Sequence, residues 1–341
     1  MKPPFCGITY EILNRLLVDQ GFNDQYSLKT VTNFYRRRIT GFNSMKNLPL
    51  LLRNKLESAY SSGLFYPVEQ EESADRSVRY LFRTPGNKTF ETVFIPENRR
   101  KTICLSTQSG CRMGCPFCLT GRYDFKGNLN AGEMVNQVMS IPHSRDITHV
   151  VFMGMGEPLD NIDEVLTACR ILTSPWGLSL GPAHVTVSTV GITPAVERFL
   201  NESDCNLTLS LFSPFPGERA RVVPVEKVYP SIQILELMMN HPPSKKRRFS
   251  IAYVMIHAIN DSEAHLKELI RMLKGSAIRV NLLPYHMIPD DSCIPSPAER
   301  IEYFRQRLTL SGISASIRRS RGADISAACG LLAAGLKKQT G

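Results

Sequence analysis

The cysteines of this chain concentrate in one short segment, "CLSTQSGCRMGCPFCLTG", which covers residues 104–121. Three of them, Cys111, Cys115 and Cys118, follow a C-x3-C-x2-C spacing with no histidine beside them. Structural zinc uses four protein ligands, and catalytic zinc uses three that commonly include histidine. An iron–sulfur cubane normally binds four thiolates, so three thiolates would leave one iron with an open coordination position. The spacing favours such a cluster, with zinc and buried structural thiols as the alternatives.

Composition and charge indicate the class of partner and the cellular compartment that we expect for this chemistry. The 341 residues carry a formal charge of +10, which favours a polyanionic partner such as nucleic acid, with solubility alone as the alternative explanation. The chain has no apolar run of about 18 residues, and its N-terminal segment is amphipathic. We therefore expect a cytoplasmic protein that does not enter a membrane. In the cytoplasm, nine cysteines would serve metal binding or catalysis rather than disulfide bonds.

The elements that would position the cysteines are predicted from hydrophobic periodicity. Residues 1–75 carry apolar residues at three- and four-residue steps, which predicts a small helical accessory domain. Residues 76–100 predict a β-hairpin extension, because "VRYLFRT" and "FETVFIP" alternate on either side of a "PGNK" turn. Residues 101–330 predict a barrel core whose last loop carries Cys329, and residues 331–341 form a tail.

Six strand-like runs separated by helical patterns predict an α/β fold, a partial parallel (β/α)6 barrel, in the barrel core. The runs are "TICLST", "THVVFMGMG", "HVTVSTV", "NLTLSLF", "FSIAYVMI" and "IRVNLLPYH". In such barrels the catalytic residues lie in the loops that follow the strands. The cysteine trio directly follows the first run, so we expect it at that end of the barrel.

The cysteine spacing, with Phe117 before the last cysteine, resembles the signature of radical S-adenosylmethionine (SAM) enzymes. The segments "ETVFIPENRRKTICLSTQSGC", "VVFMGMGEPLDN", "VTVSTVGITP", "LTLSLFSPF", "VNLLPYHMIP" and "RRSRGADISAACGLL" resemble the RlmN/Cfr family of radical-SAM methyltransferases, over nearly the whole chain. That family modifies an adenine of ribosomal RNA and, in some members, of transfer RNA. The resemblance implies a radical-SAM barrel, one 4Fe–4S cluster, SAM and an external electron donor such as flavodoxin or ferredoxin. We expect a monomer.

The resemblance assigns distinct roles to five cysteines. The cluster would be held by Cys111, Cys115 and Cys118, while Cys329 would carry a methyl group and Cys104 would resolve the RNA adduct. Such chemistry is needed because carbons 2 and 8 of adenine are poor nucleophiles, whereas a carbon radical can add to them. From the residues alone, the favoured interpretation of Cys329 is a buried small residue. The same interpretation is stronger for Cys104, which lies inside an apolar strand.

Two further expectations concern acid–base chemistry near these thiols. Glu91 matches the family's proton acceptor, although by itself it is one outward residue of a hairpin. The basic residues Arg318, Arg319 and Arg321 precede Cys329, which predicts a lowered pKa for its thiol.

Seven positions match the family's contacts to SAM. They are Gly156, Glu157, Ser188, Ser210, Leu211, Phe212 and Asn281. From the residues alone, ordinary hydrogen bonds at strand ends explain the polar ones. Where the family has Ser-Leu-His, this chain has Ser210-Leu211-Phe212, and phenylalanine donates no hydrogen bond. The chain is therefore expected to be a divergent member.

The resemblance predicts an enzyme that methylates an adenine ring carbon, carbon 2, of ribosomal RNA and also of transfer RNA. Four basic clusters support an RNA partner, at residues 36–38, 99–101, 245–248 and 318–321. The alternatives are methylation of carbon 8, a radical-SAM enzyme with a non-RNA substrate, and a non-catalytic iron–sulfur protein that binds RNA.

Overall fold

The structure, a computed structural model, describes residues 2–241, 247–289 and 291–332. Lys245 and Lys246 of the third basic cluster lie outside these residues, as does most of the expected tail. The helices are α1 (Tyr10–Val18), α2 (Asp24–Tyr35), α3 (Leu50–Ala59), α4 (Ala131–Met139), α5 (Ile162–Thr173), α6 (Thr193–Glu202), α7 (Pro216–Val222), α8 (Ser231–Asn240), α9 (Glu263–Leu273) and α10 (Ala298–Leu310). The strands are β1 (Glu69–Glu72), β2 (Val78–Arg83), β3 (Thr89–Glu97), β4 (Arg100–Cys104), β5 (Gln108–Ser109), β6 (Gly127–Asn128), β7 (His149–Phe152), β8 (Val185–Thr189), β9 (Asn206–Ser210), β10 (Phe249–Met255), β11 (Arg279–Pro284) and β12 (Ala315–Ile317).

One ten-stranded sheet has the order β1-β2-β3-β4-β7-β8-β9-β10-β11-β12, and β5 and β6 form a separate pair. Strands β4, β7, β8, β9, β10, β11 and β12 are parallel, while β1, β2 and β3 are antiparallel. The predicted α/β barrel and its six strands are confirmed. The structure adds β12, which was not predicted because three residues are too short to show a period.

The sheet curves around a common interior, since residues from β3, β4 and each of β7 to β12 line one cavity of about 550 Å³. The predicted hairpin is confirmed, with Val78 opposite Phe94 and Arg83 opposite Thr89. Strand β1 was not predicted because its sequence, "EQEE", is exposed at every position. Its pairing with β2 therefore rests on backbone hydrogen bonds rather than on an apolar face.

The N-terminal helices form because Thr9 and Asn23 cap α1 and α2 and each helix buries an apolar stripe. These helices share one hydrophobic core with the barrel. Tyr35 packs on Trp176, which follows α5, with ring centroids 6.0 Å apart. The N-terminal segment is thereby held against the outside of the barrel.

The segment after β12 returns across the open side of the barrel to the turn between β1 and β2. Asp324 accepts hydrogen bonds from Ser73 Oγ at 2.6 Å and from the Ala74 amide at 3.0 Å. Further on, the Leu119 amide donates to the Gly330 carbonyl at 2.7 Å. These bonds tie the C-terminal segment both to the sheet edge and to the loop that carries the cysteine trio.

Within the three described ranges, no helix combines the length and apolar character needed to cross a membrane.

Candidate active site

The cysteine trio lies in the loop that follows β4, and the short pair β5–β6 joins the two ends of that loop. Cys111, Cys115 and Cys118 line one cavity of about 190 Å³ at the carboxyl ends of the parallel strands. The same cavity is lined by Gly156 and Glu157 from the loop after β7. The fold thus brings the thiols to the loop end of the barrel, where the sequence predicted them.

The donor set fits an iron–sulfur cluster. Burial raises the pKa of Cys111 to about 12 and also raises that of Cys115, and the neighbouring thiols increase both shifts. Thiolates at these positions therefore need a cationic group to stabilise them, and metal binding releases the protons. In the part of the chain that the structure describes, no three His, Cys, Asp or Glu side chains converge to hold a single metal ion. A multi-iron group suits thiols spread around a cavity better than one zinc ion does.

Glu157 is buried, and its carboxylate organises the loop after β7. It accepts hydrogen bonds from Thr189 Oγ1 at 2.5 Å, the Val190 amide at 2.9 Å and the Leu159 amide at 3.0 Å. Burial raises the pKa of Glu157 to about 7, although these hydrogen bonds act to lower it. The carboxylate keeps free lone pairs beside the cavity, so it can still accept a bond from an ammonium.

Gly156 brings its backbone against Gln108, whose Oε1 accepts from the Glu157 amide at 2.9 Å. Its φ is +95°, and a Cβ here would lie 2.5 Å from the Gln108 Cβ and 2.9 Å from the Gln108 nitrogen.

We expect Gly156→Ala to lower stability by about 1–3 kcal/mol, because it adds backbone strain. It should also weaken SAM binding, because Glu157 moves. Gly217→Ala is the matched control, since nothing lies within 4 Å of its added Cβ. Thermal unfolding and SAM titration measure both effects, and equal results for the two variants would contradict the prediction.

The other predicted SAM-contact residues divide between the two cavities and the core. Ser188 and Ser210 line the cysteine cavity, with their hydroxyl oxygens 3.2 Å apart. Asn281 instead lines the larger interior cavity, where its Oδ1 accepts from Ser316 at 3.1 Å. The Leu211 side chain is fully buried in the hydrophobic core, so only its backbone is near the site.

Phe212 lines the cysteine cavity and stacks on Phe117, with ring centroids 5.0 Å apart and an interplanar angle of 20°. Its φ is 65°, which is costly for a bulky residue. Asn260 helps to hold this conformation by donating to the Phe212 carbonyl at 2.8 Å. The side chain that replaces the family's histidine therefore contributes an aromatic wall beside the last cysteine instead of a hydrogen bond.

Arg219 supports the site and was not predicted. It is fully buried, forms an ion pair with Glu226, and donates to the carbonyls of Leu211, Val190 and Ser210 at 2.7, 2.6 and 2.9 Å. These carbonyls belong to the segments at the ends of β8 and β9. In the sequence, "PGERARV" is typical of an exposed charged helix, so no local signal distinguishes Arg219 from Arg221.

The other two predicted cysteines lie in the barrel interior. Cys104 on β4 pairs with Val93 on β3 and with Val151 on β7, and it lines the larger cavity. Cys329 lines both the larger cavity and the cysteine cavity. Cys104 is buried, and after burial itself the nearby Cys329 is the largest influence that raises the pKa of Cys104. The fold therefore brings together two thiols that are far apart in the sequence.

The expected lowering of the Cys329 pKa is wrong. Cys329 is exposed where it lines the two cavities, but the protein around it removes enough water to raise the pKa of this thiol. Arg318 acts in the predicted direction but does not outweigh burial.

Glu91 is 1% exposed and lies on β3, two residues before Val93. Alternate residues of a strand share a face, so Glu91 faces the interior with Val93, on the same face as Cys104. Its Oε1 lies 3.2 Å from Arg79 Nη1. The sequence alone made this residue an outward hairpin position, but the closed side of the barrel covers it.

The larger cavity is strongly basic. Six arginines line it, namely Arg100, Arg248, Arg279, Arg318, Arg319 and Arg321. Arg100 and Arg279 are the first residues of β4 and β11, and Arg248 directly precedes β10, so these three lie at the amino ends of strands, opposite the cysteine loop. The other three follow β12. One predicted basic cluster, at residues 318–321, and one arginine from each of two others thus line the same cavity.

Comparisons with known proteins agree with this arrangement. Residues 105–273 match the family model described as the radical SAM superfamily. The chain is 41% identical over 332 residues to a probable dual-specificity RNA methyltransferase RlmN of Phocaeicola vulgatus, covering 97% of this chain and 95% of the relative. A protein of the same name from Geobacillus kaustophilus is 34% identical, with coverage of 99% and 94%. The crystal structure of a radical SAM methyltransferase from Sphaerobacter thermophilus superposes with a TM-score of 0.88 at 34% identity, covering 97% of this chain and 99% of that one. The chain therefore belongs to the RlmN family of radical SAM RNA methyltransferases.

Proposed function

We propose that this enzyme methylates carbon 2 of an adenine in ribosomal RNA, and also in transfer RNA, through a methyl group carried on Cys329. The observation that carries the proposal is the position of Cys329 between two cavities. One cavity is lined by the cysteine trio, and the other contains Cys104 and opens between arginines. A thiol at that junction can meet a methyl donor on one side and a nucleotide on the other.

The cofactors assigned to the smaller cavity are one 4Fe–4S cluster, held by Cys111, Cys115 and Cys118, and SAM, beside Glu157 and Ser188. When bound, they supply a methyl group and a 5′-deoxyadenosyl radical, with electrons from an external donor such as flavodoxin or ferredoxin. The stacked rings of Phe117 and Phe212 form an apolar wall that limits the access of water to this cavity.

Three side chains of the interior would carry out the remaining steps. Cys329 holds the methyl group, and once one of its hydrogens has been removed, the carbon adds to the adenine ring carbon. The adduct then loses the ring proton and one electron, which the cluster would accept. Cys104 attacks the Cys329 sulfur, which breaks the sulfur–carbon bond and leaves a disulfide, and the released carbon takes up a proton to become the methyl group of the base. Glu91 lies on the same interior face and takes the proton from the ring carbon. Its contact with Arg79 orients the carboxylate before the base arrives.

The arginine-lined opening supports RNA as the substrate. A base can reach Cys329 only after it leaves its stack, since the thiol lies inside the barrel. The six arginines that line this cavity would bind the phosphates around that nucleotide. The alternative, a non-catalytic iron–sulfur protein that binds RNA, would need neither Cys104 nor Glu91 in this interior.

The test is anaerobic turnover of reconstituted protein with SAM, a reductant and bulk ribosomal or transfer RNA. We expect 5′-deoxyadenosine and, after nuclease digestion, 2-methyladenosine by mass spectrometry against standards of both methyladenosines. 8-Methyladenosine would contradict the assignment of carbon 2. 5′-Deoxyadenosine without any methylated adenine would contradict RNA as the substrate.

A separate prediction concerns the cluster. Anaerobically reconstituted protein should contain about four iron and four sulfide per chain, and Cys118→Ser should lose most of both, because a cubane needs all three thiolates here. Cys293→Ser is the matched control, since this half-buried thiol lines neither cavity. Iron and sulfide analysis measures the effect. A colourless zinc protein, or an equal loss in both variants, would contradict the assignment.

A further inference from the structure

A third cavity lies where the N-terminal helices pack against the barrel. Its volume is about 190 Å³, and it shares no lining residue with the two cavities described above. Arg36 and Arg38 come from the end of α2, and Arg145 comes from the connection between α4 and β7. The rest of the wall is mainly apolar and consists of Val138, Ser144, Ile147, Leu178 and Leu180.

The three arginines of this cavity have no counter-ion of their own. Among the described residues none of them forms an ion pair, and the adjacent Asp146 pairs with Lys101 at 3.3 Å and His143 at 3.9 Å instead. Arg38 Nη1 is buried and has no hydrogen-bond partner in the described part of the chain. Three like charges held together favour an anion between them, and an anion would also accept a hydrogen bond from the buried Arg38 donor, which is costly to leave unpaired.

The conformation of Arg38 holds its guanidinium in place. Its φ is 59°, in the left-handed region, and its Nη2 donates to the Ser144 carbonyl at 3.4 Å. Burial lowers the pKa of Arg38 to about 10, and the charge of Arg145 adds to this shift. The group is therefore still protonated at neutral pH.

The cavity also lies at a defined end of the barrel. Arg145 belongs to the connection that enters β7, and Leu178 and Leu180 belong to the connection that enters β8. Connections that enter parallel strands lie at the amino ends of those strands, opposite the catalytic loops. Three of the arginines that line the interior cavity are at this same end, since Arg100 and Arg279 are the first residues of β4 and β11 and Arg248 directly precedes β10.

We propose that Arg36, Arg38 and Arg145 bind a backbone phosphate of the RNA whose target nucleotide enters the interior cavity. A guanidinium presents a planar fork of donors that matches two phosphate oxygens, which a cavity with several arginines can exploit. The RNA would lie across the amino ends of the strands, with one nucleotide inside the barrel and a neighbouring phosphate in this cavity. The inference rests on the proposed function, because it assumes an RNA substrate.

The test measures the binding of a labelled RNA hairpin with an adenine-containing loop, over a series of salt concentrations, for Arg38→Ala and Arg145→Ala. Each variant should bind several-fold more weakly, and the slope of log K against log salt should become shallower by about 0.7–0.9 for the lost phosphate contact. Arg15→Ala is the matched control, because this exposed arginine of α1 removes the same charge outside the cavity. Arg145 is exposed, so its variant stays informative if Arg38→Ala folds poorly.

The outcomes separate this site from the proposed function, because methylation of bulk RNA by the wild-type protein is measured independently. Unchanged slopes in both variants, with methylation intact, would overturn the phosphate site alone. Loss of methylation and of hairpin binding in the wild type would overturn the proposed function and the site with it. If inorganic phosphate raises the thermal stability of the wild type but not of Arg38→Ala, and the RNA slopes do not change, the site binds a free anion and the RNA assignment is wrong.

Discussion

Cys329→Ala should abolish RNA methylation, whereas Cys104→Ala should accumulate RNA covalently attached to the protein. The two variants should differ in kind because they would interrupt different steps of the proposed mechanism: the first removes the sulfur proposed to carry the methyl group, and the second removes the thiol proposed to release the product. Neither thiol belongs to the cysteine trio, so both variants keep the three proposed cluster ligands. Denaturing gels with labelled RNA after anaerobic turnover, together with a mass measurement of the protein, distinguish the two results.

Cys293→Ala is the control for this pair, since that thiol lines neither cavity. It should methylate RNA at the wild-type rate and trap none. Full activity of both test variants would refute the covalent mechanism. A trapped species with Cys329→Ala would assign the methyl carrier to another residue.

Arg219→Met should be the most destabilising single substitution near the site. It leaves the Glu226 carboxylate buried without its cation. It also removes the donor of the hydrogen bonds to the carbonyls of Val190, Ser210 and Leu211. Breaking a buried pair from one side costs about 3–5 kcal/mol. SAM binding should fall as well, because Ser210 and Val190 line the cysteine cavity. Chemical denaturation and SAM titration measure the two effects.

Two further variants make the prediction about Arg219 specific. Arg221→Ala, on the exposed side of α7, should change stability by less than about 0.5 kcal/mol. The double variant Arg219→Met with Glu226→Leu should recover part of the lost stability, since no buried charge is then unpaired. A double variant less stable than Arg219→Met would show that the ion pair is not the cause.

Much of the fold was predictable because the local pattern of each element agrees with its place in the sheet. The six predicted strands and the hairpin each carry an apolar or alternating run, which burial in the barrel requires. Two strands of the main sheet were missed because they lack such a pattern. Strand β1 is exposed throughout, and β12 has three residues.

The candidate site was only partly predictable for the same reason. The roles of Glu91 and Arg219 depend on burial by elements that are distant in the sequence, and their own neighbours give no sign of it. The pKa of Cys329 was predicted in the wrong direction, because the neighbouring arginines are visible in the sequence and the surrounding barrel is not.

The sequence by itself determined which cysteines are the candidate cluster ligands, because Cys111, Cys115 and Cys118 lie on one loop and short spacing limits how far apart three thiols can be. Only the tertiary structure decided which side chains from distant parts of the chain lie beside the cysteine loop. The segment after β12 crosses to the β1–β2 turn through Asp324 and then pairs with the cysteine loop through Gly330, and this path brings Cys329 beside Cys104. The physical reason is that these hydrogen bonds stabilise the protein only after the barrel has brought segments that are distant in the sequence close together. No local sequence pattern therefore predicts them.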